Sequence, residues 1–132
     1  MIPSQSSACT YRYDLGIHHF TLHRANAEAV DEFMTHLQRI LNERPADEVI
    51  RLLVDLRPEG IPPIGYVFPA LKRFFRRQSR RRRFKSAYLY RRGTLIHLLP
   101  TFLDLLLQRV DRRFFLDREE AEAIRWLLEN ET

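Results

Sequence analysis

The sequence of 132 residues lacks several features that define large classes of proteins. Its single cysteine, Cys9, excludes an internal disulfide framework and a metal site built from thiolates alone. No uncharged apolar run reaches the roughly 18 residues of a membrane-spanning helix. The first residues, MIPSQSSACT, have neither the basic start nor the apolar middle of a secretory signal. We therefore expect a cytoplasmic protein with one core.

Signatures of common catalytic sites are missing as well. The sequence contains no glycine-rich phosphate loop and no nucleophile elbow. Cys9 falls in residues 1–10, which we expect to form a mobile leader before a single domain at residues 11–132. Asp55 ends a predicted strand, where α/β sheets often hold functional groups, but a salt bridge to Arg57 explains it equally well. The sequence thus predicts a binding protein without a cofactor rather than an enzyme.

The segment HHFTLH places three histidines close together in the sequence. His19 and His23 would share a strand face, yet their spacing separates them by about 13 Å at roughly 3.3 Å per residue. One metal ion cannot bridge that distance, and His36 on the first predicted helix adds no carboxylate or thiolate cluster. We predict no metal site and expect ordinary surface histidines.

The first half of the chain alternates strand and helix patterns. YRYDLGIHHFTL has two stretches of alternating residues around Asp-Leu-Gly and predicts a hairpin. Apolar residues then recur at helical spacing between Asn26, a natural N-cap, and Pro45. The nearly continuous apolar run VIRLLVD predicts a buried strand that ends at Asp55.

The second half continues the alternation. A proline-rich loop leads to a helix whose apolar stripe includes Phe74 and Phe75, and FKSAYLY then predicts a strand. TLIHLLPTFLDLLLQ fits a helix that Pro100 kinks or restarts, and RFFL predicts a short strand. Asp117 and Glu120 form a capping-box pattern before the last helix. This order predicts a single-domain α/β fold with a mixed sheet of about four to five strands and about four helices.

The predicted helix TLIHLLPTFLDLLLQ is apolar around most of its circumference. One sheet face hides only part of such a helix, and surplus apolar surface is typical of a protein partner or a homodimer interface. A wholly buried helix accounts for the pattern equally well. With the nearby arginines, the same helix would also suit an anionic membrane surface.

Charge is distributed unevenly along the chain. Residues 60–103 contain eleven Lys or Arg and no acidic residue, whereas the rest of the chain has a net charge of −6. The centre of the basic segment is FFRRQSRRRRFK, and such asymmetry is typical of proteins that bind polyanions. The candidate polyanion-binding residues are Lys72, Arg73, Arg76, Arg77, Arg80, Arg81, Arg82, Arg83 and Lys85.

Two interpretations of this basic segment stay open. Arginines pair with phosphates, and phenylalanines stack on bases, so nucleic acid or anionic lipid would suit it. A solvated helix end is the alternative, in which the cations complement the negative pole of the helix. No sequence-reading motif accompanies the charge, so any contact with nucleic acid would be to phosphates. Ser79 lies in a setting that basophilic kinases favour, a match that arises readily by chance in an arginine-rich tract.

The succession of elements resembles the STAS domain family, and especially stand-alone bacterial STAS-like proteins related to anti-sigma-factor antagonists. LLVDLR as the central strand, RRFFLDREEAEAIRWL as the last strand and helix, and the basic helix between them carry this resemblance over residues 11–129. It implies a regulatory module that binds a protein partner through the loop after Asp55 and the next helix. The residues implied in partner binding are Asp55, Arg57, Ile64, Gly65 and Tyr66.

The chain departs from the family at its phosphorylation site. Antagonist members have a phosphorylatable Ser before a Gly at the start of that helix, where phosphate switches partner affinity. Here Gly65 is present, but Pro63 and Ile64 stand where the acceptor would be, and residues 56–78 contain no Ser or Thr. The resemblance therefore implies a STAS-like interaction module without the family's phospho-switch.

Overall fold

The computed structural model describes residues 7–78, 82–91 and 110–129, and the structural statements below concern these residues. They form five strands and three helices. In chain order the elements are β1 (Cys9–Asp14), β2 (Ile17–Leu22), α1 (Ala27–Glu43), β3 (Val49–Asp55), α2 (Ile64–Arg76), β4 (Arg83–Tyr90), β5 (Val110–Leu116) and α3 (Glu120–Leu128). The predicted apolar helix, with its homodimer and membrane hypotheses, lies outside the described residues.

The five strands form one mixed sheet in the order β1-β2-β3-β4-β5. β1 and β2 are antiparallel, as a hairpin requires, and the remaining neighbours are parallel. Parallel neighbours need crossover connections, and α1 and α2 provide them for β2–β3 and β3–β4. The chain therefore has the α/β fold with a mixed sheet that its sequence predicts.

The hairpin forms where it is predicted, with Leu15 and Gly16 between its strands. Both residues have positive φ angles, 57° and 78°, which is the requirement of a type I′ turn. The mobile leader expected at residues 1–10, however, extends too far toward the domain. β1 begins at Cys9, and Ala8 and Cys9 are buried, so these residues belong to the core rather than to a mobile segment.

One face of the sheet packs against α1 and α2, and we call it the helix-pair face. Asn26 caps α1 as predicted, since its side-chain oxygen accepts from the Ala29 backbone N–H at 3.0 Å. Apolar side chains of α1 and α2 meet alternate residues of the strands there, including Leu52 and Val54. This packing confirms the apolar stripe of α1, and Phe74 is buried in the same cluster.

On the opposite face, Leu53, Ala87 and Leu89 of the strands pack against α3, whose Leu127 is buried in the same cluster. The capping box predicted from Asp117 and Glu120 does not form here. The N-cap of α3 is Glu119, whose carboxylate instead accepts from the Leu116 backbone N–H at 2.6 Å. Glu120 instead accepts from Arg57, which lies 63 residues earlier in the chain.

Candidate functional site

An ion-pair cluster lies where β3 ends. The Arg57 guanidinium donates from Nη2 to Asp55 Oδ2 at 2.7 Å and to Glu120 Oε1 at 2.8 Å. It also donates from Nη1 to the Asp117 carbonyl at 2.9 Å, while Asp55 Oδ1 accepts from the Arg57 backbone N–H. These bonds, that to Asp55 foremost, raise the pKa of Arg57. The cluster therefore ties the loop after β3 to the start of α3.

The start of α2 is anchored differently. Tyr66 lies in its first turn and donates its hydroxyl to Asp31 Oδ1 on α1 at 2.5 Å, which raises the pKa of Tyr66. Tyr66 is 39% exposed, and Pro63 and Gly65 near it are also exposed. Ile64 is the first residue of the helix. This end of α2 thus presents an aromatic ring and open backbone to solvent.

The residues implied in partner binding do not come together as one cluster. Asp55 and Arg57 contact α3, whereas Tyr66 contacts α1 on the helix-pair face. Asp55 forms the salt bridge with Arg57 that the sequence allowed, because both its carboxylate oxygens accept from the Arg57 guanidinium. Gly65 and Tyr66 remain on the surface, and they begin an exposed face that continues along α2.

That exposed face follows the helical repeat, and we call it the α2 face. Its residues are Gly65, Tyr66, Pro69, Lys72, Arg73, Arg76 and Arg77. The first half is uncharged, and the second half has four cations. Within the described part of the chain, none of these cations forms a salt bridge with an acidic side chain. The α2 face is therefore a solvated, positively charged surface.

Two members of the predicted polyanion-binding set are buried, which corrects that prediction. Arg82 is 6% exposed and donates to the carbonyls of Leu41, Arg44 and Pro45 at the carboxyl end of α1. The last turn of α1 has no basic residue, so Arg82 supplies the positive charge that a helix end favours.

Lys85 has the same role at α3. It is 3% exposed, and its Nζ donates to the carbonyls of Trp126 and Glu129 at 2.6 and 3.1 Å. Nζ also lies 4.6 Å from the centroid of the Trp126 ring. Arg83 remains exposed, and Arg80 and Arg81, with Ser79, lie outside the described residues. Fewer residues of the candidate polyanion-binding set are therefore exposed than the sequence predicts.

The histidines are not the ordinary surface residues that the sequence predicts. His18 is 3% exposed and its Nδ1 lies 2.8 Å from the Tyr11 hydroxyl under α1. Burial, with the nearby Arg44, lowers the pKa of His18 to about 4. His19 is buried on the opposite face, and only His23 is exposed among the three of HHFTLH. In the described ranges, no group of three His, Cys, Asp or Glu side chains is arranged to hold a metal ion.

Cys9 is also enclosed. Its backbone N–H donates to Glu32 on α1 at 2.9 Å, and burial raises the pKa of its thiol to about 12. A thiol with such a high pKa holds its proton at neutral pH and is a poor nucleophile. Cys9 therefore contributes to the core rather than to reactivity.

Sequence reasoning missed a polar cavity of about 140 Å³ on the α3 side of the sheet. Its lining residues are Arg12, His19, Phe20, Thr21, Leu53, Asp55, Arg57, Leu89 and Glu120. The sequence contained one sign of this cavity. His19 and Thr21 alternate along β2 and are polar, whereas a buried strand face usually has apolar residues at such positions. Without the pairing of β1 with β2 and the position of α3, nothing in the sequence connects them to Arg12 or Glu120.

Comparison of the chain with protein-family models, curated proteins and solved structures finds no match in any of the three. None of the helices within the described ranges is long and apolar enough to cross a membrane.

Proposed function

We propose that this protein is a non-catalytic STAS-like regulatory module that binds a protein partner through the α2 face. The observation that carries the proposal is the exposed helical stripe from Gly65 to Arg77, with an uncharged start and a cationic end. Tyrosine and arginine are enriched in the energetically dominant positions of protein interfaces. A partner that offers an apolar contact to Tyr66 and acidic residues to the cations would match both halves of the α2 face.

The STAS assignment rests on the succession and topology of the elements. A hairpin leads into alternating helices and parallel strands, and the last strand is followed directly by a helix. The loop after β3 and the start of α2 lie at one edge of the sheet, where the resemblance implies partner binding. Residues 56–78 contain no Ser or Thr, so partner binding there would not depend on a phosphoserine.

Site-specific photo-crosslinking tests the protein partner. A crosslinking amino acid replaces Tyr66 in the full chain, expressed in cells of its source, and a matched chain has it at Tyr13, which is 49% exposed on β1. We expect a discrete protein adduct from position 66 that is missing from position 13. The purified complex should then tolerate added salt and lose at least about tenfold in affinity on Tyr66→Ala, about 1.4 kcal/mol.

Two results would contradict a partner at the α2 face: an adduct that forms equally from both positions, or no adduct from either position. Loss of affinity on Tyr66→Ala, with an unchanged far-UV spectrum, would not arise from misfolding. The exposed position of Tyr66 makes it suitable for this substitution, because only the hydrogen bond to Asp31 is removed within the described part of the fold.

Non-specific polyanion binding is the second candidate, favoured by four exposed cations on the α2 face that form no salt bridge with a described residue. Binding to single- and double-stranded nucleic acid and to anionic vesicles, measured over a salt series, tests it. A polyanion site would give affinity that falls steeply with salt, with a slope of about −3 to −4 for four phosphates. Lys72, Arg73, Arg76 and Arg77 changed together to Gln should abolish it, whereas Arg83→Gln should change it little.

A further inference from the structure

The polar cavity on the α3 side lies at the carboxyl ends of parallel strands. Thr21, Asp55 and Leu89 are in register across β2, β3 and β4, each within two residues of its strand's end. Buried Leu53 and Leu89 contribute apolar surface, and charged and polar residues form most of the remaining lining. In open α/β sheets, this edge is where small ligands bind.

His19 gives this cavity an unsatisfied polar group. Its side chain lines the cavity, the residue is 8% exposed, and Nε2 has no hydrogen-bond partner in the described structure. A buried donor or acceptor without a partner costs about 1–3 kcal/mol, so such atoms are rare in folded proteins. Nε2 itself has almost no accessible surface, so a ligand in the adjoining space would satisfy it once the imidazole turns toward the cavity.

The charges around the cavity are balanced. Arg57 is already bound to Asp55 and Glu120, but Glu120 accepts only through Oε1 within the described ranges. Across the cavity, Arg12 makes a single 3.3 Å bond to Asp14, which leaves most of its N–H groups available. The Thr21 hydroxyl has no hydrogen bond to a described residue. Unused donors and unused acceptors therefore face the same space.

We propose that this cavity binds a small zwitterion, such as a free amino acid, with its carboxylate at Arg12 and Thr21 and its ammonium at His19 Nε2 and Glu120. The volume is appropriate, because a cavity of about 150 Å³ holds benzene, and alanine has the same number of non-hydrogen atoms, about six. Burial, followed by the effect of Arg12, lowers the pKa of His19. The ring is therefore neutral at neutral pH, and its unprotonated nitrogen is able to accept a hydrogen bond from the ammonium.

This site lies on the face of the sheet opposite the helix pair and does not depend on the proposed protein partner. Asp55 and Arg57, which the resemblance implies in partner binding, would instead form part of a ligand pocket. A failure of ligand binding would leave the crosslink at Tyr66 unaffected, and a failure of the crosslink would leave ligand binding unaffected. The two proposals are therefore distinguishable.

NMR titration of the ¹⁵N-labelled full chain tests the site. Glycine, L-alanine and β-alanine are the zwitterionic probes, and acetate and methylammonium are the matched half-ligands. We expect the zwitterions to shift the His19 imidazole nitrogens saturably and to raise the melting temperature. Each half-ligand should bind at least about tenfold more weakly, a difference of about 1.4 kcal/mol.

Arg12→Gln and Arg24→Gln form the variant pair, since both residues are exposed and only Arg12 lines the cavity. Arg12→Gln should weaken zwitterion binding at least about tenfold and leave the unliganded melting temperature nearly unchanged, whereas Arg24→Gln should bind as the parent does. The proposal is overturned if no zwitterion shifts the His19 signals saturably. It is equally overturned if acetate alone binds as tightly as alanine, or if both variants bind alike.

Discussion

Arg82 and Arg83 are neighbours in the sequence and have opposite environments in the fold. Arg82 is buried against the carboxyl end of α1, and Arg83 is exposed at the start of β4. The sequence presents both as members of one basic run. At the scale of single residues, the number of charges in a segment does not reveal which charges are available to a partner.

The burial of Arg82 leads to a stability prediction. Arg82→Ala removes the charged donor from three carbonyls and should lower the free energy of unfolding by about 3 kcal/mol. Arg83→Ala is the matched control and should change it by less than about 0.5 kcal/mol. Urea denaturation of both variants measures the difference. A loss of under about 1 kcal/mol for Arg82→Ala would contradict the capping role.

Leu15 has a backbone conformation that is unfavourable for a leucine side chain. It has a φ of 57° and is 65% exposed, so its side chain gains little from packing. The left-handed region costs an ordinary L-residue about 1–2 kcal/mol, and asparagine pays less. Leu15→Asn should therefore stabilise the protein by about 0.5–1 kcal/mol in urea denaturation, since Asn-Gly suits a type I′ turn.

Leu15→Ala separates backbone conformation from side-chain exposure at the same position. It removes the exposed apolar group but keeps a Cβ at positive φ, so it should be close to neutral. An alanine variant that gained as much stability as the asparagine variant would show that exposure, rather than the turn, determines the effect.

At the scale of elements, β2 has two adjacent histidines buried on opposite faces of the sheet. His18 lies beneath α1 with Tyr11, near Arg44 and Glu48, and His19 lies on the α3 side. A buried strand usually has apolar residues on both faces. Two buried imidazoles with lowered pKa values make β2 an acid-sensitive element of the fold.

Stability should fall on acidification below about pH 6.5. The folded state holds the pKa of His18 at about 4 against 6.5 for the free side chain, so the unfolded chain takes up the proton first. The contribution of neutral His18 to the free energy of unfolding is fully present above pH 6.5. It declines by up to about 3 kcal/mol as the pH falls toward 4. The lowered pKa values of His19 and His36 act in the same direction.

Urea denaturation at pH 7, 6 and 5 measures this dependence. His18→Gln should reduce the pH dependence, because glutamine cannot take up the proton, while His19 and His36 keep their contributions. His23→Gln changes an exposed histidine and should retain the parental slope. Equal slopes in all three chains would assign the acid sensitivity to other groups.

At the scale of the whole molecule, one sheet is shared by two cores. Leu37 is buried on the helix-pair face and Leu127 on the α3 face, at 1% and 0% exposure. Each core needs the same strands to be in place. We therefore expect the two faces to fold together rather than as separate units.

Two optical probes test this cooperativity. Trp126, the single tryptophan, reports on α3 by fluorescence, and far-UV circular dichroism reports on all helices. In urea the two transitions should coincide, and Leu37→Ala and Leu127→Ala should each shift both by the equivalent of about 3 kcal/mol. A Leu37→Ala transition that changed the dichroism but left the tryptophan signal in place would show that the faces unfold independently.

The sequence by itself determined the type and order of the elements. Alternation around Asp14-Leu15-Gly16, helical spacing after Asn26 and the apolar run before Asp55 are local patterns, and local patterns reflect burial directly. For that reason the hairpin, α1, β3, α2 and the mixed α/β sheet were predictable. The start of β1 and the cap of α3 were not, because contacts with Glu32 and Arg57, distant in sequence, decide them.

Tertiary structure alone decided which polar groups are available. Arg82 and Lys85 turn inward because the carboxyl ends of α1 and α3 happen to lie beside β4, and nothing in FFRRQSRRRRFK records that proximity. The same holds for the cavity, where β1, β2, β3, the loop after it, β4 and α3 each contribute between one and three residues. Hydrogen bonds and charge pairs between distant residues have no periodicity in the sequence, so only the fold brings them into view.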